Sequence, residues 1–335
     1  MEITMKNESF SICYFPTNVI FVDDNQRFLK SVKFKIDKNQ HHVLYDNPEK
    51  ALLYLQSEYK SNQNIGIFSD DVESYDSSQI QSVFNFNVGK IVEHVLNPSR
   101  FDEISVLVTD YSMPTIDGIA FCKKIKHLPI KKILVTGEAD EALAVAAFNE
   151  GIIDRFIFKN DPNFDAILKK YIEELKHAYF QEMTKNALNV LDHNKAFCFK
   201  NPALMDVFNK VLTEKNIVEY YLLNTTGSSL LLDENANTYW FIVQNEEDRG
   251  MYLDFAEDNE APEALISELE SGKKIIYLSD TDNTASIQGE EWESVAYPAT
   301  KLDESICYSL TKNISDSKID TSKIISFADY LEKTI

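Results

Sequence analysis

The chain has 335 residues, 44% of them hydrophobic, enough for two domains that each bury a core and too apolar for a disordered protein. Its formal charge of −21 argues against a nucleic-acid footprint, and the imbalance is concentrated in residues 187–335, which hold 27 acidic and 12 basic residues. No apolar run approaches the roughly 20 residues that span a bilayer, the first residues lack a signal-peptide pattern, and the four cysteines are dispersed, so a cytoplasmic location with reduced thiols is expected.

In chain order, NVIFVDD (18–24) reads as a short buried strand ending in two acids, followed by a helix with Phe28, Leu29, Val32 and Ile36 on its apolar face. HHVLYD (41–46) reads as a second strand, and Asn47-Pro48-Glu49 opens a second helix. The stretch from Ser57 to Arg100 then breaks the rhythm. It is polar at first and ends in a helix carrying Val88, Ile91, Val92, Val95 and Leu96. A long excursion of this kind is either a lid or docking surface beside the neighbouring site, or a plain insertion.

SVLVTD (105–110), KKILVTG (131–137) and RFIFK (155–159) supply three more strands, each followed by a helical pattern. The last of these helices, through Phe164, Leu168, Ile172, Leu175 and Tyr179, runs on towards the second half. Strict β/α alternation with buried strands predicts a doubly wound, five-stranded parallel sheet.

In such a sheet, ligands gather at the carboxyl ends of the strands. Asp23, Asp24, Asp110, Thr136 and Lys159 all stand at such ends. Three carboxylates there can hold a hard divalent cation such as Mg²⁺. Asp110 can then act as a nucleophile toward phosphorus, with Thr136 and Lys159 receiving the phosphoryl oxygens.

VIFVDDN, VTDYSMPTIDG, ILVTGEAD and GIIDRFIFK together resemble the receiver domain of two-component response regulators over residues 18–180. The resemblance implies a flavodoxin-like fold, with Asp110 as phosphoacceptor and a sensor histidine kinase as donor. It further implies Mg²⁺ held by Asp23, Asp24, Asp110 and the Ser112 main-chain carbonyl. Thr136 and Lys159 contact the phosphoryl group, Phe156 takes the switch-aromatic position, and Ser112 and Glu138 take positions that tune hydrolysis. The excursion lengthens the segment between acidic pair and phosphoacceptor. Asn160 also stands where the family has Pro, so the bond after Lys159 is expected to be trans, since cis without Pro costs about 2.5–4 kcal/mol. A haloacid-dehalogenase reading would want an acid where Ser112 stands.

Beyond a helical linker (181–200), residues 201–335 read as an α+β domain with a largely antiparallel sheet. NPALMDVFNKVL is helical and EYYLLNTTGSSLLLD a hairpin. TYWFIVQN is a strand, Asn245 with Asp248 a helix cap, and EALISELE a helix ending at Gly272. KIIYLS, WESVAYPA and SICYSLT are expected as strands and IISFADYL as a closing helix. Tyr220, Tyr221, Tyr239, Trp240, Tyr277, Tyr297 and Tyr308 either line a groove or fill a half-buried sheet. The whole layout resembles a group of proteobacterial response regulators, quorum-sensing regulators among them, whose C-terminal region is uncharacterised. The expectation is a phosphorylation-controlled switch that changes conformation or dimerises and whose output module binds a protein or ligand; nucleic-acid binding is the alternative.

Overall fold

The computed structural model describes residues 10–35, 41–59, 68–69, 85–137, 141–188, 201–278, 287, 289, 291–312, 314 and 320–334. Ile36, Glu138, the polar start of the excursion (60–67) and the linker beyond 188 lie outside them. In chain order the first elements are β1 (Cys13–Tyr14), β2 (Asn18–Val22), α1 (Gln26–Lys35), β3 (His42–Tyr45) and α2 (Pro48–Leu53). Next come β4 (Phe68–Ser69), β5 (Asn85–Phe86), α3 (Val88–Leu96), β6 (Ile104–Asp110) and α4 (Gly118–Lys124). β7 (Lys131–Thr136), α5 (Glu141–Asn149), β8 (Arg155–Phe158) and α6 (Phe164–Leu188) follow. The remainder is α7 (Pro202–Glu214), β9 (Ile217–Leu222), β10 (Ser229–Asp233), β11 (Thr238–Gln244), α8 (Glu246–Asp258) and α9 (Glu263–Glu270). It closes with β12 (Lys274–Ile276), α10 (Glu291–Val295), β13 (Ala296–Pro298), β14 (Thr300–Lys301), β15 (Cys307–Thr311) and α11 (Phe327–Thr334).

The chain divides into two units. One takes residues 16–64, 99–183 and 331–335, and the other takes 1–15, 65–98 and 184–330. The first unit is the doubly wound sheet, in the order β3-β2-β6-β7-β8 with every pairing parallel. All seven residues of β6 are buried, as a central strand covered on both faces requires. Alternation along the strands sends Ile20, Val22, Leu107 and Leu134 to one core with Ala51, Phe121 and Ala144. Val19, Phe21, Val106, Val108, Ile133 and Val135 go to the other, with Leu29, Val32, Leu168 and Ile172. Asn47 caps α2 by accepting from Lys50 N, and Pro48 occupies its first turn. Gly151, at φ 65°, takes the left-handed conformation that ends the α5 segment.

The second unit is built on an antiparallel sheet in the order β1-β9-β10-β11-β15-β14, with two-stranded pairs β12–β13 and β4–β5. Phe208 of α7 seats against Phe10, Tyr220 and Phe241, at ring-centroid distances of 4.6, 5.1 and 5.6 Å. The cap expected at Asn245 is present as a reciprocal box: Asn245 Oδ1 accepts from Asp248 N, and Asp248 Oδ2 accepts from Asn245 N. Tyr220, Tyr221, Tyr239 and Trp240 are buried on the antiparallel sheet and Tyr297 on β13, while Tyr277 and Tyr308 are half-buried, so most of these aromatics fill core.

Three features differ from the linear expectation. The residues ahead of the 18–180 resemblance, to which the sequence assigned no element, supply β1, whose Cys13 and Tyr14 register with Tyr221 and Tyr220 of β9. The later part of the excursion, read within the first domain, groups with the antiparallel unit. There His94 of α3 packs its ring against Phe15 and Tyr221, at 4.8 and 5.5 Å. WESVAYPA is a strand only from Ala296. Trp292 and Val295, three apart, are both buried from a single helical face, and that burial favours α10 over an alternating strand. No cis peptide bond occurs among the described residues, and none of their helices is long and apolar enough to cross a membrane.

Candidate phosphoacceptor site

The carboxyl edge of the parallel sheet gathers the acids. β2 gives out at Val22, so Asp23 and Asp24 open the loop to α1, while Asp110 is the last residue of β6. Ligand atoms of Asp23, Asp24 and Asp110 all lie within 4.8 Å of one another. Asp23 and Asp110 are buried, at 1% and 6% exposure, and Asp24 is exposed. Asp23 N donates to Tyr45 O (3.1 Å), and Asp23 Oδ1 accepts from Asn25 N (2.8 Å). Asp23 is therefore held to β3 by its backbone and to the residue before α1 by its carboxylate.

Lys159 follows β8 and reaches across the edge. Its Nζ lies 3.0 Å from Asp110 Oδ2 and 3.1 Å from Asp23 Oδ2, and its backbone N donates to Thr136 O (2.9 Å). Burial by itself would lower the Lys159 pKa. The hydrogen bond to Asp110 and the charges of Asp23 and Asp110 outweigh it and raise the pKa above the usual lysine value. Asp23 moves upward as well, chiefly through burial, against the pull of Asn25 N–H and Lys159. One ammonium against three carboxylates leaves an excess of two negative charges, and the donors are all hard oxygen. That set fits a divalent cation such as Mg²⁺.

Around Asp110 the backbone is tightly determined. Tyr111 N donates to Val135 O (2.8 Å), and Gly118 N donates to Tyr111 O (2.9 Å). Asp117 caps α4 by accepting from Ala120 N (2.7 Å). A Cβ at Gly118 would stand 2.3 Å from Asp110 O and 2.7 Å from Leu134 Cδ1, so only glycine permits this approach. Ser112 lies exposed in the turn between, where Thr115 adopts φ 70°. Thr136, at the end of β7, is fully buried and donates its hydroxyl to Gly137 O (3.2 Å). Phe156 is half-buried on β8, edge-on to Phe148 and Phe158 at 6.4 and 5.7 Å.

The structure thus brings Asp23, Asp24, Asp110 and Lys159 into one cluster. Thr136 is tied to Lys159 through the main chain, and Phe156 sits one strand residue before Ile157 on the same edge strand. Sequence reasoning missed two contributors. Phe28, read only as part of an apolar helical face, has its ring centroid 5.2 Å from Lys159 Nζ. Gly118 was visible in TIDG, but nothing in the pattern revealed its close approach to Asp110.

Comparison with protein-family models matches the response regulator receiver domain over residues 73–172. That span starts after Asp23 and Asp24, which the fold returns to the sheet through β2. No curated protein matches the sequence. Among solved structures, the chain is similar to the Legionella pneumophila response regulator LqsR, at 33% identity and a TM-score of 0.78, covering 100% of this chain and 98% of that one. An adenylate cyclase structure from Rhodopirellula baltica matches at 18% identity and TM-score 0.36, covering 53% of this chain and 99% of that one. A CheY-like receiver domain protein from Methanospirillum hungatei matches at 19% identity and TM-score 0.33, covering 50% and 98%.

Proposed function

The chain belongs to the response regulators of two-component signalling, and on that premise we propose that Asp110 accepts a phosphoryl group from a sensor histidine kinase. The observation that carries this reading is the Lys159 ammonium held on Asp110 and Asp23, with Asp24 beside them, at the carboxyl edge of a parallel sheet. A carboxylate oxygen of Asp110 forms the new bond to phosphorus as the bond to the donor breaks. Lys159 balances charge that spreads over the equatorial oxygens. Asp23, Asp24, Asp110 and the Ser112 main-chain carbonyl would hold Mg²⁺, which supplies further neutralisation of that charge when bound.

Thr136 turns its hydroxyl from Gly137 O to the new phosphoryl oxygens, and Phe156 repacks with it. This is the switch by which the added charge alters the output surface or promotes a homodimer. The antiparallel unit serves as a module for a protein or ligand partner, a reading supported by the acidic balance of residues 187–335, which disfavours DNA. The protein works in the cytoplasm, and turns over nothing beyond its own phosphoryl group. A quorum-sensing input is the expectation inherited from the resemblance.

The test is to treat the full chain with Mg²⁺ and beryllofluoride and follow oligomer size and proteolytic protection, in wild type and Asp110→Asn. A change confined to wild type is expected. Equal behaviour of the two proteins would sink the switch.

A further inference from the structure

Lys159 carries its charge on a flexible four-carbon stem, and its side chain is 31% exposed. Two carboxylates attract the ammonium, yet attraction alone does not choose a single rotamer at a solvated edge. The chain also has Asn160 where a rigid Pro would otherwise shape the loop after Lys159. Something else must narrow the lysine's freedom before the reaction, because preorganised charge is worth more in the transition state than charge that must be gathered there.

We infer that the face of Phe28 is a positioning element for Lys159, holding its ammonium toward Asp110 and Asp23 by a cation–π contact. The inference rests on the phosphoacceptor reading of this site. Lys159 Nζ lies 5.2 Å from the Phe28 ring centroid, within the range of an energetically significant contact. The ring is itself placed by two independent features. Phe164, the first residue of α6, meets it edge-on at 5.9 Å. Phe28 N also donates to Asn25 Oδ1 (3.3 Å), and Asn25 N donates to Asp23 Oδ1 (2.8 Å). One capped turn of α1 thereby sets both the carboxylate and the ring that flank the ammonium. The loop leaving Lys159 returns to the same ring: Asp161 N donates to Phe158 O (3.1 Å), and Phe164 N donates to Asp161 O (3.0 Å), which delivers Phe164 behind Phe28. The ring contact and the two carboxylates together do for Lys159 what loop rigidity cannot.

The experiment measures the initial rate of phosphoryl incorporation by intact mass, using the full chain with Mg²⁺ and acetyl phosphate. Phe28→Leu removes the ring and keeps an apolar side chain; Phe28→Met is the second ring-deleting variant if Leu fails to fold. Loss of the contact slows labelling roughly 2- to 30-fold. Phe28→Trp, with the better cation-binding face, labels at the wild-type rate or faster. Equal rates in wild type and the ring-deleted variants overturn the inference. So does an equal loss in Phe28→Leu and Phe28→Trp, which would mark packing as the cause. Absence of labelling in wild type overturns the phosphoacceptor reading and this inference with it. Labelling of wild type but not of Asp110→Asn leaves that reading standing, so that the Phe28 variants alone decide.

Discussion

The two units handle polar groups in opposite ways. The parallel unit collects three carboxylates and an ammonium at one edge, where Asp23 and Asp110 are buried beside each other. Burying like charges together is costly, so a fold selected for stability alone would not do it. The antiparallel unit spends its distinctive residues on packing: Tyr220, Tyr221, Trp240 and Phe241 are all buried in or against its sheet. Its polar residues serve local structure, as in the Asn245–Asp248 box and the Thr226 hydroxyl that donates to Asp248 Oδ2 (3.0 Å). Chemistry is therefore readable where the fold tolerates strain it does not need, and unreadable where every residue has a structural use.

The sharpest way to break that contrast is Trp292→Ala. Trp292 is 1% exposed in a cluster with Ala256, Leu265, Leu269 and Ile276, and truncation is expected to cost about 3–5 kcal/mol. Amide exchange should open around α9 and β12 while β6 keeps its protection; loss of protection in both units would contradict the division of labour. Its Nε1 has no hydrogen-bond partner among the described residues, so Trp292→Phe removes an unsatisfied donor and costs markedly less.

Gly118→Ala comes next. Its Cβ collides with Asp110 O, so the strand end or α4 must shift, at about 1–3 kcal/mol by denaturant unfolding. Labelling of Asp110 should fall as well. A variant with wild-type stability and labelling would show that the approach is not needed.

The smallest effect concerns pH. Lys132 is 8% exposed, donates Nζ to Ile130 O (2.7 Å), and has its pKa lowered by burial. Between that lowered value and the ordinary lysine value of 10.5 the unfolded chain binds more protons, so this residue's contribution to stability rises with pH. Lys132→Met should be at least as stable as wild type at neutral pH, with the gap closing as pH climbs towards that upper limit. A gap that widens would reverse the assignment.

Much of the parallel unit was legible because each of its functional residues terminates a buried apolar run. NVIFV, ISVLVTD and KKILVT announce both strand and edge, and position Asp23, Asp110 and Thr136 without further information. Contacts between distant segments left no such trace. The two residues of β1 are too few to show a period, and they pair with β9 some two hundred positions away. Phe28 satisfied a helical stripe completely, so its second use under Lys159 had no signature of its own. Trp292 and Val295 sat in a segment, WESVAYPA, too short to distinguish helix from strand.

The most direct measurement locates the label. The full chain is incubated with Mg²⁺ and acetyl phosphate, the acyl phosphate is trapped by reduction, and peptides are read by tandem mass spectrometry. The modification is expected on Asp110, dependent on Mg²⁺ and reduced in Lys159→Met. Label on another residue, or label that persists in Asp110→Asn, would contradict the account.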